Sequence, residues 1–318
     1  HTTEYEIRLS LVGSEMCIRD RNNVLVTGAS GLIGGILNTK LTEHNLFGVD
    51  IKKCDYENFE ISNISNSKKL ETIMSKINID TVVHLAGNAS VDANWDSLSV
   101  NNFTGTLNVF NACKETGVKK IIFASSNHAV GLFENDNPYK EIINGKYKDV
   151  SKNYKLISPY CEVRPDSLYG VSKAFGENLG RFYYENYNIK IACLRIGSVI
   201  KDNNPRVKNS NRFFSTWCSH DDIAGLINAC INSDKIEFDI FYGVSNNTWK
   251  IEIEDNGPGT NLSQEQLIRP FVKGSDQLNQ GTGLGLSIVQ KLIKLNNGEL
   301  NFQKSSHGGL KVTVILQI

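Results

Sequence analysis

The stretch NVLVTGASGLIGGILNTK, Asn23 to Lys40, constrains the fold more than any other part of the chain. Asn23 to Thr27 is a short β-branched apolar run, the mark of a strand buried on both faces. Gly28, Gly31 and Gly34 follow, and a helical pattern follows them. Strand, glycine turn and helix in that order turn a common glycine pattern into a specific one. Gly28 permits the tight turn, Gly31 lets the backbone approach a pyrophosphate at the helix N-terminus, and Gly34 lets helix and strand pack closely. The next strand, FGVD, ends at Asp50, twenty-two residues after Gly28. A carboxylate there accepts hydrogen bonds from a ribose hydroxyl and repels a 2′-phosphate, which favours NAD over NADP.

The alternation continues. TVVHLAG (81–87), KKIIFASS (119–126) and IKIACLRIGS (189–198) read as buried strands. TGTLNVFNACKETG (104–117) is an amphipathic helix ending at a C-cap glycine, and Leu168 to Asn186 is helical in pattern. Strands separated by helices predict an α/β fold with a doubly wound (Rossmann) parallel sheet. On the later helix, Tyr169 and Lys173 stand four apart and share a face. A lysine ammonium beside a phenol favours the phenolate, so Tyr169 is a candidate general base near neutral pH. Ser126 ends a strand, where this fold places its ligands, and its hydroxyl can orient a substrate oxygen.

Composition narrows the partners. The 318 residues suggest about two domains, and 34 basic residues balance 34 acidic ones, so charge gives no case for nucleic acid or an anionic membrane. No apolar run approaches the roughly 20 residues of a membrane helix. Seven cysteines occur without a C-x-x-C pair, which suits a reduced cytoplasmic protein with no metal site. Homo-oligomer formation stays open. The chain begins at His1, and Ser10 to Arg21, SLVGSEMCIRDR, reads like translated sequencing-adapter bases. Residues 1–21 are therefore set apart as a non-native leader, with no signal-peptide core among them.

Residues 22–248 resemble the extended short-chain dehydrogenase/reductase family, the NAD-dependent epimerase/dehydratase group. FASSNHAVG, RPDSLYGVSKAFGE, LRIGS and RFFSTWCSHDD are most like uronate dehydrogenases. The resemblance implies oxidation of a hexuronate at its anomeric carbon, with hydride passing to NAD⁺. Tyr169 would take the hydroxyl proton, Lys173 would bind nicotinamide ribose and tune Tyr169, and Ser126 would assist. The cofactor would lie along Gly28, Ser30, Gly31, Leu32, Ile33, Gly34, Asp50, Leu85, Ala86 and Gly87, with Glu60 and Ile61 on the adenine side. Substrate contacts would be Ser90, Ser126, Asn127, His128, Ser198 and Arg212, the last suited to a carboxylate. VIKDNNPRVKNSN is longer than uronate dehydrogenases carry before Arg212, so other sugar acids, sugars and the epimerase or dehydratase reactions stay open.

From Trp249 the pattern changes. WKIEIEDNGPGT and LKVTVILQI are alternating strands around RPFVKG and GTGLGLSIVQKLIKLNNGEL. Residues 249–318 resemble the C-terminal part of a histidine-kinase-type ATPase domain, an incomplete α+β fragment. Asp255 would receive the adenine amino group, and Gly257, Gly259, Gly281, Gly283 and Gly285 would shape its lid and phosphate loop. The family's Mg²⁺-binding asparagine helix belongs upstream, where dehydrogenase-like residues stand. His220 lacks the basic residue and proline that follow a phosphoacceptor histidine, and it reads as a helix start with Asp221 and Asp222 favourable behind it. The expectation is an NAD-dependent dehydrogenase joined near residue 248 to part of a kinase, without ATPase activity. A signalling protein built around the ATP module is the second reading.

Overall fold

The computed structural model describes residues 21–146, 149–150, 154–208, 210–254, 259–272, 285–295, 298–306 and 308–317. The adapter-like leader thus falls outside the described residues up to its last position, Arg21. Two units result, one ending at Ser245 and one beginning at Asn246.

The first unit is built on a seven-stranded sheet in the order β3-β2-β1-β4-β5-β6-β7. Its strands are β1 (Asn23–Thr27), β2 (Asn45–Asp50), β3 (Asn58–Ile61), β4 (Thr81–His84), β5 (Lys120–Ser126), β6 (Lys190–Ile196) and β7 (Phe238–Gly243). Every neighbouring pair runs parallel. The order reverses direction between β1 and β4, and ligands of open α/β sheets bind outside such a switch point. The helices between strands are α1 (Leu32–Lys40), α2 (Ser67–Ile77), α3 (Trp95–Leu98), α4 (Gly105–Thr116), α5 (Tyr139–Ile143), α6 (Leu168–Tyr187), α7 (Asn211–Thr216) and α8 (His220–Asn232). A π turn over Ser99–Thr104 leads into α4, and a 3₁₀ stretch over Asn127–Asn135 follows β5.

Because side chains alternate along a strand, each strand feeds two cores. Val24, Val26, Val83, Ile122 and Leu194 pack with Leu37 of α1 and Ile223 and Ile227 of α8. Leu25, Val82, Ile121 and Ile191 pack on the other face with Leu70 of α2, Phe110 of α4 and Tyr183 of α6. Each such burial contributes about 1.5–3 kcal/mol. Helix ends follow local chemistry. Ser167 caps α6 by accepting from the Gly170 amide, and Asn188 ends it in the left-handed region. Buried Lys120 reaches from β5 to the end of α8, where its ammonium donates to the carbonyls of Cys230, Ile231 and Ser233. A cation there satisfies the helix's last acceptors.

The second unit is a three-stranded antiparallel sheet, with β8 (Thr248–Glu254) and β9 (Glu299–Lys304) flanking β10 (Leu310–Gln317). Two helices accompany it, α9 (Gln264–Leu267) and α10 (Gly285–Leu295). Ser263 and Gln266 form a reciprocal capping box at α9. No helix among the described residues is long and apolar enough to cross a membrane.

Candidate active site

One cavity of about 720 Å³ runs along the C-terminal ends of β1, β2, β4, β5 and β6. At its first end, Gly28 takes a left-handed conformation (φ +76°), and a Cβ there would come within 2.7 Å of the Ala86 amide. The Gly28 amide donates to the Val49 carbonyl at 2.9 Å, tying the turn to β2. Gly31 stands at the N-cap of α1 with no side chain to serve the first-turn amides, which leaves them for an anion. At Gly34 a Cβ would lie 2.5 Å from the Ala29 carbonyl oxygen, so only glycine lets α1 sit this close to β1. Asp50 ends β2, and its carboxylate accepts from the amides of Ser30 (2.9 Å), Ile51 (2.6 Å) and Lys52 (3.2 Å). Its oxygens keep one further acceptor position. Ser30, Leu32, Ile33, Leu85, Ala86 and Gly87 also line this end.

Glu60 and Ile61 are not brought to the cavity. The register sets Glu60 against Val49 and Ile61 against Asp50, both inside β3, and the chain turns over the strand ends only at Ser62, whose amide donates to the Asp50 carbonyl. Ser62, Asn63 and Ile64 line the cavity instead. They were missed in sequence because NFEI alternates over only four residues, too few to fix where the strand ends; once its end is known, the residues just beyond it are the ones to inspect.

At the other end stand Ser126, Tyr169 and Lys173, joined in space by the end of β5 and the first turns of α6. Tyr169 and Lys173 are each only 8% exposed. The Lys173 ammonium donates to the Ala124 carbonyl at 2.8 Å and lies 5.5 Å from the Tyr169 ring centre. Burial pulls its pKa down to about 8. The expectation of a phenol below its ordinary pKa needs correction. Burial pushes Tyr169 up, while the nearby Ser126 hydroxyl acts in the opposite sense. The lysine is anchored on a carbonyl, so desolvation dominates.

Two buried networks hold this end, and neither was visible in sequence. Asn102 donates to the Asn88 carbonyl (2.9 Å) and the Ser172 hydroxyl (3.0 Å) and accepts from the Asn88 amide (2.7 Å). It therefore ties the loop after β4 to α6. Glu177 of α6 receives Arg195 of β6 bidentately, at 2.9 Å for each oxygen, and the Ser125 hydroxyl at 2.6 Å. Arg195 also donates to the Pro159 carbonyl at 3.2 Å.

The expected substrate residues divide. Asn127, His128 and Ser198 line the cavity beside Ser126. The Asn127 side-chain nitrogen is buried and has no hydrogen-bond partner among the described residues. His128 pairs through Nδ1 with Asp166 at 2.7 Å, and its ring meets that of Tyr169 edge-on at 5.8 Å. The Ser198 hydroxyl lies 2.9 Å from that of Thr216 in α7. Ser90 is exposed in the loop after β4 and is not among the lining residues. Arg212 is not among them either, although its neighbour Phe213 is; its Nε donates to Glu134 at 2.6 Å. Among the expected ATP residues, Asp255, Gly257, Gly281 and Gly283 fall outside the described residues. Gly259 has φ +77°, and Gly285 opens α10.

Comparison with known proteins places these features. The NAD dependent epimerase/dehydratase family matches residues 24–220. The histidine kinase-, DNA gyrase B- and HSP90-like ATPase family matches residues 224–318. The chain is 33% identical over 239 residues to the NAD-dependent glucose-6-phosphate dehydrogenase of Haloferax volcanii, covering 71% of this chain and 86% of that protein. It is 30% identical over 233 residues to the uronate dehydrogenase of Pseudomonas syringae pv. tomato, covering 71% and 75%. The crystal structure of uronate dehydrogenase from Agrobacterium tumefaciens is similar with a TM-score of 0.57 at 30% identity, covering 71% of this chain and 77% of that one.

Proposed function

Because this chain belongs to the NAD dependent epimerase/dehydratase family, we propose that it is an NAD-dependent oxidoreductase that oxidises a sugar at its anomeric carbon, the substrate being a hexuronate or a related aldose. The observation that carries the reading is the single cavity running from the glycine turn and Asp50 to Ser126, Tyr169 and Lys173. The cradle fits a dinucleotide: a Cβ at Gly28 or Gly34 would collide with backbone, and the first amides of α1 have no side-chain cap. Those amides would hold the pyrophosphate, and the remaining acceptor position of Asp50 would take a ribose hydroxyl. When bound, NAD⁺ supplies the acceptor for the hydride that leaves the anomeric carbon.

The chain's own residues handle the proton and the geometry. Ser126 holds the sugar hydroxyl against Tyr169. Tyr169, as phenolate, takes the hydroxyl proton as the anomeric carbon becomes a lactone carbonyl. Lys173, protonated below about pH 8, places positive charge beside the phenol. Asn127 and His128 offer further polar groups to the sugar ring.

The test is the full chain with NAD⁺ and aldoses or hexuronates, read by absorbance of the reduced nicotinamide. Tyr169→Phe should lower kcat by about 10²–10⁴-fold while calorimetric NAD⁺ affinity is retained. Undiminished turnover would show that Tyr169 is not the base. The epimerase or dehydratase alternative would give converted sugar without accumulating reduced cofactor.

A further inference from the structure

The substrate end of the cavity is electrically balanced. His128 faces the Asp166 carboxylate, and the Arg212 guanidinium, outside the lining but next in sequence to cavity-lining Phe213, faces Glu134. Ser126, Asn127 and Ser198 are uncharged. Of the lining lysines, Lys52 lies at the Asp50 end, and Lys173 is committed to the Ala124 carbonyl. Among the described lining residues, none at the substrate end offers an unpaired cation to a substrate carboxylate.

We infer that Glu134 is a specificity-determining residue, which occupies the Arg212 guanidinium and thereby suits the site to an uncharged aldose over a hexuronate. The inference rests on the dehydrogenase reading above. Glu134 is carried on the 3₁₀ stretch that also carries Asn127 and His128. Arg212 lies in the first turn of α7, whose Thr216 meets Ser198 at the cavity wall. Both partners are partly desolvated, with side chains 29% and 22% exposed. A second carboxylate brought to the same guanidinium would meet the charge of Glu134, and like charges at that range repel. The side-chain nitrogen of Asn127, which lines the cavity, is buried without a partner among the described residues. A sugar hydroxyl satisfies such a donor without bringing charge, whereas leaving it unpaired is costly.

The experiment compares D-glucuronate, its neutral isostere D-glucuronamide, and D-glucose on the full chain with NAD⁺. Wild type should use glucuronamide and glucose with kcat/KM about tenfold or more above glucuronate, the range for one charged hydrogen bond gained or lost. Glu134→Gln should raise the glucuronate-to-glucose ratio by about tenfold, and the double variant with Arg212→Gln should lose that gain. A wild-type preference for glucuronate, equal use of glucuronate and glucuronamide, or an unchanged ratio in Glu134→Gln overturns the inference. The glucuronamide comparison needs no variant, so a misfolded Glu134→Gln does not shield it. If no sugar yields reduced cofactor, the dehydrogenase reading fails. The charge ranking is then read from calorimetric binding of the same three sugars, where tightest binding of glucuronate by wild type overturns it.

Discussion

Tyr169 holds its proton more tightly than an exposed tyrosine, because its phenol is desolvated at the mouth of α6. The consequence for pH follows in sign. With the pKa raised, the phenolate is scarce at neutral pH and its fraction grows as pH rises, so turnover should climb from pH 6 to 8. Lys173, lowered to about 8, loses its own charge above that pH, and the phenol loses its cationic neighbour. The climb should flatten there, and Lys173→Met should displace the rising limb to higher pH. A kcat profile across pH 6–10 checks both statements, and a flat wild-type profile would remove Tyr169 as the titrating base. The pair itself was legible in sequence, because i and i+4 share a helix face whatever the fold. The direction of the phenol's shift was not. It is set by what covers Tyr169 and by the Ala124 carbonyl that holds Lys173, and both are tertiary facts.

Between elements, Glu177 of α6 and Arg195 of β6 form an ion pair in which both side chains are nearly fully buried. Removing one partner strands a buried charge, so Glu177→Gln should cost about 3–5 kcal/mol in urea unfolding, and a change under 1 kcal/mol would show that the pair is not needed. His84, at the end of β4, is held between the hydroxyls of Thr27 and Thr106 and is pulled down by burial to about 3. Unfolded, it titrates near 6.5. Between those values the unfolded chain binds a proton that the folded chain refuses, so stability falls as pH drops below about 6.5, with a slope of up to about 1.4 kcal/mol per unit. His84→Gln should flatten that slope in melts between pH 4 and 7. At this scale the sequence yields β1, β4, β5 and β6 well, since long β-branched runs bounded by glycine or polar residues leave little choice. It does not yield the end of β3, whose alternation spans only two apolar positions, Phe59 and Ile61, and the shift from Glu60 and Ile61 to Ser62–Ile64 follows from that gap.

For the whole molecule, the question is which nucleotide the chain serves. The ATPase-type family match begins at residue 224, yet residues 224–245 work in the parallel sheet. Ile227, Cys230 and Ile231 of α8 are buried in its core, and β7 pairs along β6 from Phe238 opposite Ile191 to Gly243 opposite Ile196. The glycine turn, Asp50 and the Tyr169 end form one continuous site on that sheet, with the crevice of its switch point at the centre. A ligand that binds only the folded state raises stability by about 2.7 kcal/mol at a hundred times its Kd. For a unit of this size that amounts to a rise in Tm of roughly 5–10 °C. NAD⁺ should produce such a shift in the full chain by differential scanning fluorimetry, and ATP at equal concentration should produce a smaller one. The control is Gly34→Ala, where the added Cβ would meet the Gly28 and Ala29 carbonyls and push α1 off the turn. It should abolish the NAD⁺ shift and leave any ATP shift unchanged. A larger shift with ATP than with NAD⁺ would move the functional centre of the chain out of the parallel sheet and into the segment after Ser245.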